Sequence, residues 1–224
     1  MVHTIKQAVQ SSLSRIEHHP FLTAARTGTA SLEQVHRWIF CAGRESSIFP
    51  SLLEGLLLWS KDPQTISALR NNLDDELGNG DPSEAHFQHY LRLLDEMKIS
   101  RAEFADYQEG AGVRVALDVA RYVRHCGREG ISLGYMLVNE AMTPVVYLAV
   151  ECALKHHNAL PVTKFFQVHI QGDIEHVQIL YNVVQSVPSD AYQYVIDGVL
   201  LGERAMALLL DEAQGIFSPA TATS

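Results

Sequence analysis

Residues 169–176 read HIQGDIEH, which sets His169, Asp173 and His176 four and three positions apart. At about 100° per residue these side chains fall within an arc of roughly 60° on a helix. Phe165, Phe166, Leu180 and Val184 surround the same sector, so the stripe is expected to face a core. A carboxylate placed there needs a hydrogen-bonded partner or a metal ion. Helical spacing continues along nearly the whole chain, and no stretch alternates in the manner of a strand. The fold class is all-α.

Start signals divide the chain. SLEQ from Ser31 and SRAE from Ser100 are capping boxes, with Glu33 assigned to the first. Proline follows Asp62, Asp81, Leu160 and Val187, at or near first helical turns. The expected helices are 2–17, 31–59, 63–77, 82–97, 101–126, 131–156, 161–186 and 189–214. Short connections between helices of this length imply an antiparallel bundle. One domain, 1–217, is expected, with a disordered tail over 218–224 (SPATATS).

Composition narrows the partners. The chain has 224 residues, 47% of them hydrophobic, enough for one sizeable core. Its formal charge is −9, with only 17 Lys and Arg and no basic run, which argues against nucleic acid. Cys41, Cys126 and Cys152 are odd in number and form no CxxC, as suits thiols in a reducing cytosol. The N-terminus lacks the apolar run of a signal peptide. The longest apolar stretch, VVYLAVECAL, is about half a membrane span. A cytoplasmic protein without a membrane partner is expected.

A metal site needs more than one helix. In LGYMLVNEAMTPVVYLAV, Glu140 is the only charge on an otherwise apolar stripe. Pro144 cannot donate to the carbonyl of Glu140, so the helix is expected to bend there. In DDELGNGDPSEAH (74–86) the glycines and proline turn the chain, so Glu76 can face His86 across the corner. These segments supply Glu76, His86, Glu140, His169, Asp173 and His176. Three carboxylates and three imidazoles suit two divalent ions with a bridging carboxylate. Mixed oxygen and nitrogen donors without thiolate favour iron or manganese over structural zinc.

The ordered set E-L-G-N-G-D-P-x3-H, a lone helical Glu, and H-x3-D-x2-H resembles the haem-oxygenase-like diiron oxidases. That family belongs to the superfamily of thiaminase-II-like and pyrroloquinoline-quinone-synthase-like proteins. The motifs span residues 76 to 176, and helix number and length extend the match over most of the chain. The resemblance implies a haem-oxygenase-like bundle of seven to eight helices. It also implies a pair of Fe(II) ions held by the six residues named above, O2 as co-substrate, and oxidation of a small molecule. His18 and His19 stand where a haem ligand would be sought, but a haem protein has no use for the H-x3-D-x2-H stripe. Nine residues separate Glu76 from His86, so His89 is an alternative ligand.

Glu45 is a charge on the stripe Trp38, Ala42, Phe49, Leu52 and Leu56, on a helix that borders the substrate cavity in proteins of this kind. It is a candidate partner for a substrate ammonium or a base behind the metal ligands. Arg44, Arg121 and Arg124 are candidates to hold a substrate carboxylate, with Phe49 as a pocket residue. Asp75, Asn139 and Gln167 are candidates to tune the ligands. Amino-acid-like substrates are favoured, with C–C cleavage, N-oxygenation or nitrile formation as outcomes, in specialised metabolism. An electron donor and a homodimer are further expectations.

Plainer readings stand beside these. His169, Asp173 and His176 could form a metal-free cluster, Glu140 could pair with Arg114 or Arg121, and Glu76 could be a solvated helix-end acid. EQVH at 33–36 has the ferritin-like E-x2-H form, but it occurs once and leaves His169 unexplained. Functional alternatives are a fatty-acid-oxidising diiron decarboxylase, a thiaminase-type hydrolase using Cys126 or Cys152, and a metal-free partner-binding bundle.

Overall fold

The computed structural model describes residues 2–159 and 164–217, apart from the side chains of Val2 and residues 171–174. The expected tail and the side chain of Asp173 therefore lie outside the described residues. Those described form ten α-helices: α1 (Val2–Glu17), α2 (Pro20–Thr27), α3 (Leu32–Trp59), α4 (Pro63–Glu76), α5 (His86–Glu96), α6 (Arg101–Asp106), α7 (Ala111–His125), α8 (Glu129–His156), α9 (Phe165–Ser186) and α10 (Tyr192–Gln214). Single 3-10 turns at Pro82–Glu84 and Ser189–Ala191 lead into α5 and α10.

The local chemistry accounts for most boundaries. Ser31 accepts from Gln34 N while the Gln34 side chain accepts from Ser31 N, so Gln34 closes this box rather than Glu33. Ser100 and Glu103 form the second box. Asp62 caps α4 by accepting from Thr65 N at 2.7 Å, with Pro63 at the first helical position.

Two features depart from the expected eight helices. The first is α2, in which Pro20 opens the helix and Gly28, at φ 72°, closes it in the left-handed conformation. Its Phe21, Leu22 and Ala25 are fully buried. The second is the break of 101–126 into α6 and α7. Glu212 of α10 accepts from Gly110 N at 2.6 Å and Gly112 N at 3.2 Å, so a distant carboxylate caps α7. From the other side, Arg44 donates to the carbonyls of Phe104, Ala105 and Tyr107. The linker between α6 and α7 is therefore held at both edges.

α8 is the central element. By length and composition it would pass for a membrane span, but most of it is buried against α1, α2, α3, α9 and α10. Its first turns meet α10 backbone to backbone. A Cβ on Gly134 would lie 1.9 Å from Val195 O, and one on Gly198 would lie 2.0 Å from Ile131 O. Gly130 and Gly202 extend this contact at its two ends. Further along, α8 runs unbroken through Pro144, as α3 runs through Pro50. Neither proline can donate to the carbonyl one turn back, that of Glu140 or Ser46.

Candidate metal centre

The corner between α4 and α5 is built by backbone conformations that side chains resist. Gly78, Asn79 and Gly80 have φ of 87°, 51° and 93°. A Cβ on Gly78 would lie 2.2 Å from Asp81 O, so only glycine fits there. Asn79 donates to Asp75 Oδ1 at 2.9 Å and ties the turn to α4. The fold-back sets His86 Nδ1 3.0 Å from Glu76 Oε1, and His86 Nε2 3.5 Å from Asp75 Oδ2.

His169 reaches the same place from α9. Its ring lies 4.7 Å, centroid to centroid, from that of His86. Nδ1 sits 2.7 Å from Phe165 O. A carbonyl only accepts, so the proton is on Nδ1 and the lone pair is on Nε2. Burial, followed by the charge of His86, pushes this imidazole down to about 3, so it is neutral near pH 7. Burial also opposes charge on His86, but Asp75 and Glu76 outweigh it and raise His86 to about 10. One ligand atom from each of Glu76, His86 and His169 lies within 4.8 Å of the other two.

A second cluster adjoins the first. Glu140 Oε2 is 3.3 Å from His176 Nδ1, and Asn72 Nδ2 donates to Glu140 Oε1 at 2.5 Å. Asn72 also approaches His176 Nδ1 at 3.4 Å. It is buried on α4, one turn before Glu76. The sequence reading missed Asn72, although that spacing was the signal available for finding it.

These residues border a cavity of about 40 Å³, lined by Glu45, Ser46, Phe49, Glu76, Asn139, Glu140, Thr143, Tyr147 and His169. Burial, and then the charge of Glu76, pushes the Glu45 carboxyl up to about 7. Three carboxylates thus face one small space. The ion pairs of Glu76 and Glu140 run to His86 and His176, and among the described residues no Lys or Arg pairs with Glu45, Glu76 or Glu140. Three carboxylates crowded around one space with only imidazole partners repel one another, and a divalent cation between them removes that cost. The donor set fits such an ion. Outside His86 lies a groove of about 420 Å³, lined in part by Asp75, Glu84, His86, His89, Lys164 and Gln167.

Several expected site residues stand elsewhere. His89 faces the outer groove, 3.6 Å from Glu84 and 3.1 Å from Arg92, so His86 is the imidazole that meets Glu76. Gln167 is exposed in the same groove. Arg44 spends its guanidinium on the linker carbonyls and on Glu109 at 2.9 Å. Arg121 is exposed and pairs with Asp118 at 2.5 Å. The Arg124 chain covers Gly55 at the α3–α7 contact. None of these arginines lines the cavity: Arg44 serves backbone carbonyls, Arg121 a surface acid, and Arg124 packs on α3 beside Ser51. Arg114 is spent on Glu109 O at 2.7 Å, so Glu140 pairs with neither arginine proposed for it. Glu33 of EQVH is an exposed surface acid paired with Arg37.

Fold and site together define a haem-oxygenase-like helical bundle with a carboxylate–imidazole centre in its core. Solved structures with the same architecture share its fold at low sequence identity. A protein from Shewanella denitrificans described as having a heme oxygenase-like fold superposes with TM-score 0.79 at 14% identity, covering 97% of this chain and 93% of that one. A CADD-like protein from Nostoc punctiforme gives 0.77 at 16% identity, covering 97% and 99%. A TenA homologue from Pseudomonas syringae gives 0.76 at 12% identity, covering 95% and 92%. In sequence, the 4-chloro-allylglycine synthase of Streptantibioticus cattleyicolor is 23% identical over 186 residues, 80% of this chain and 71% of that protein. The family model described as iron-containing redox enzyme matches residues 48–208, and the chain belongs to that family.

Proposed function

We propose that the protein is a non-haem diiron oxidase or oxygenase acting on a small amino-acid-like substrate. One observation carries the reading: Glu45, Glu76, Glu140 and His169 border a single small cavity, with no Lys or Arg paired to its carboxylates among the described residues. Membership of the iron-containing redox family supports iron as the ion. Glu76, His86 and His169 would hold one ferrous ion. Glu140 and His176 would hold the second, with Asp173 as the third donor expected from its sequence spacing. When bound, the pair supplies reductive activation of O2.

The chain's own groups have separate tasks. Phe165 O keeps the His169 proton on Nδ1 and so leaves Nε2 available as a donor. Asp75 stands behind His86 as a carboxylate behind a ligating imidazole. Phe49 and Tyr147 supply apolar wall and help to exclude water. Among the described residues Glu45 carries no ion-pair partner, which suits it to a substrate ammonium. The Streptantibioticus relative is named for an amino-acid product, which supports the same substrate class. A cysteine-dependent hydrolase has less support, because neither Cys126 nor Cys152 lines the cavity. A cytoplasmic homodimer with a separate electron donor remains part of the proposal.

Anaerobic ferrous loading tests it. About two irons per chain are expected, falling in His169→Ala and Glu140→Ala. Amino acids should stimulate O2 uptake. An iron-free protein after loading, or uptake stimulated by fatty acids but not by amino acids, would overturn the proposal.

A further inference from the structure

Asn139 is an anomaly on the cavity wall. It is only 5% exposed, and among the described residues neither its Nδ2 nor its Oδ1 has a hydrogen-bond partner of normal geometry. The Tyr135 phenol lies near enough to this amide for a weak hydrogen-bonding contact, but one that falls short of normal hydrogen-bond geometry. Thr143 cannot help, since its hydroxyl donates to the Asn139 main-chain carbonyl at 2.9 Å. A buried carboxamide left without partners costs about 1–3 kcal/mol for each group, so such an amide is kept for something that occupies the space it faces. Glu45 faces the same space, and among the described residues no Lys or Arg pairs with it. Both lie close enough to Tyr135 to influence its phenol.

We propose that Asn139 and Glu45 form the subsite that reads the head of a zwitterionic α-amino acid. The substrate ammonium donates to the Glu45 carboxylate and to Asn139 Oδ1. The substrate carboxylate accepts from Asn139 Nδ2, and Ser46 adds a hydroxyl to the same wall. The donor–acceptor pair of a carboxamide matches a ligand that carries both charges on neighbouring atoms. A simple carboxylic acid would face Glu45 without a compensating cation. A simple amine would leave Nδ2 unpaired. This subsite rests on the reading of the protein as an amino-acid oxidase and adds to it the residue that distinguishes an amino acid from either half alone.

The test uses protein loaded anaerobically with Mn(II), which blocks turnover, and isothermal titration. The probes are a panel of L-α-amino acids including norvaline, together with pentylamine and pentanoate. Wild type should bind the best amino acid of the panel at least about tenfold more tightly than either single-charge probe. Asn139→Leu, close in shape, should lose about tenfold in amino-acid affinity and distinctly less in pentylamine affinity, because the amine forfeits only the Oδ1 acceptor and keeps Glu45. Its thermal midpoint should not fall, because an orphaned amide has been removed. Asn139→Asp guards against a folding defect in the leucine variant. It too should lose amino-acid binding, by repulsion of the ligand carboxylate, and should keep pentylamine. Equal amino-acid affinity in wild type and both variants would overturn the subsite alone. Failure of every amino acid to bind wild type, with pentanoate binding, would overturn the substrate reading together with it.

Discussion

At the scale of single residues, the site was legible where charge interrupted an apolar stripe. Glu140 and His169 stood out because ionisable groups in a core are expensive. Asn72 did not stand out, because an uncharged amide on a helix has many ordinary roles. Its position makes a prediction. Asn72 holds one oxygen of Glu140 and leaves the other beside His176. Asn72→Ala frees the carboxylate to rotate and should weaken Mn(II) binding by about tenfold to a hundredfold, as for other groups that orient metal ligands. Chelator competition measures this, and unchanged affinity would mean that Asn72 only packs. The arginines were misread for a related reason. Sequence reveals that Arg44 is near an apolar stripe but not that three linker carbonyls already claim it.

At the scale of elements, helices with local punctuation were readable and those set by distant partners were not. α2 carries its signals at Pro20 and Gly28, but its 8 residues are too few for helical periodicity to mark it off from α1. The α6–α7 break depends on Glu212, about a hundred residues away, and no local window contains it. Glu212→Ala should leave the amides of Gly110 and Gly112 without their acceptor and destabilise the protein by about 2 kcal/mol or more. Urea unfolding would show this as a lower midpoint. The α8–α10 crossing gives a sharper test. Alanine favours a helix over glycine by about 1 kcal/mol. Yet a Cβ on Gly134 would strike the Val195 carbonyl. Gly134→Ala should therefore destabilise, by about 1–3 kcal/mol from overpacking, against the intrinsic preference. A variant more stable than wild type would refute the close crossing.

At the scale of the whole molecule, the all-α class followed from periodicity alone, whereas the way the ends are fastened did not. Ser12 and Arg15 of α1 both donate to Glu203 of α10, joining segments 191 and 188 residues apart. Burial would raise the Glu203 carboxyl, but Arg15 and Ser12 outweigh it and hold it below its ordinary value of 4.5. The folded chain then binds fewer protons here than the unfolded chain. The stability from this cluster is present above that ordinary value and is lost as pH falls through the lower folded one. The difference in thermal midpoint between wild type and Glu203→Gln should therefore shrink on acidification below about pH 4.5. A difference that stayed constant into acid would remove Glu203 from the pH response.

α8 divides its length between two duties. Gly130 and Gly134 fasten it to α10, while the stretch from Asn139 to Tyr147 supplies wall to the chemistry. Apart from Glu140, the wall residues of the second stretch lie away from the glycine crossing and can change without disturbing it. A lineage built on this scaffold is thereby free to drift in what it consumes while its architecture is inherited intact.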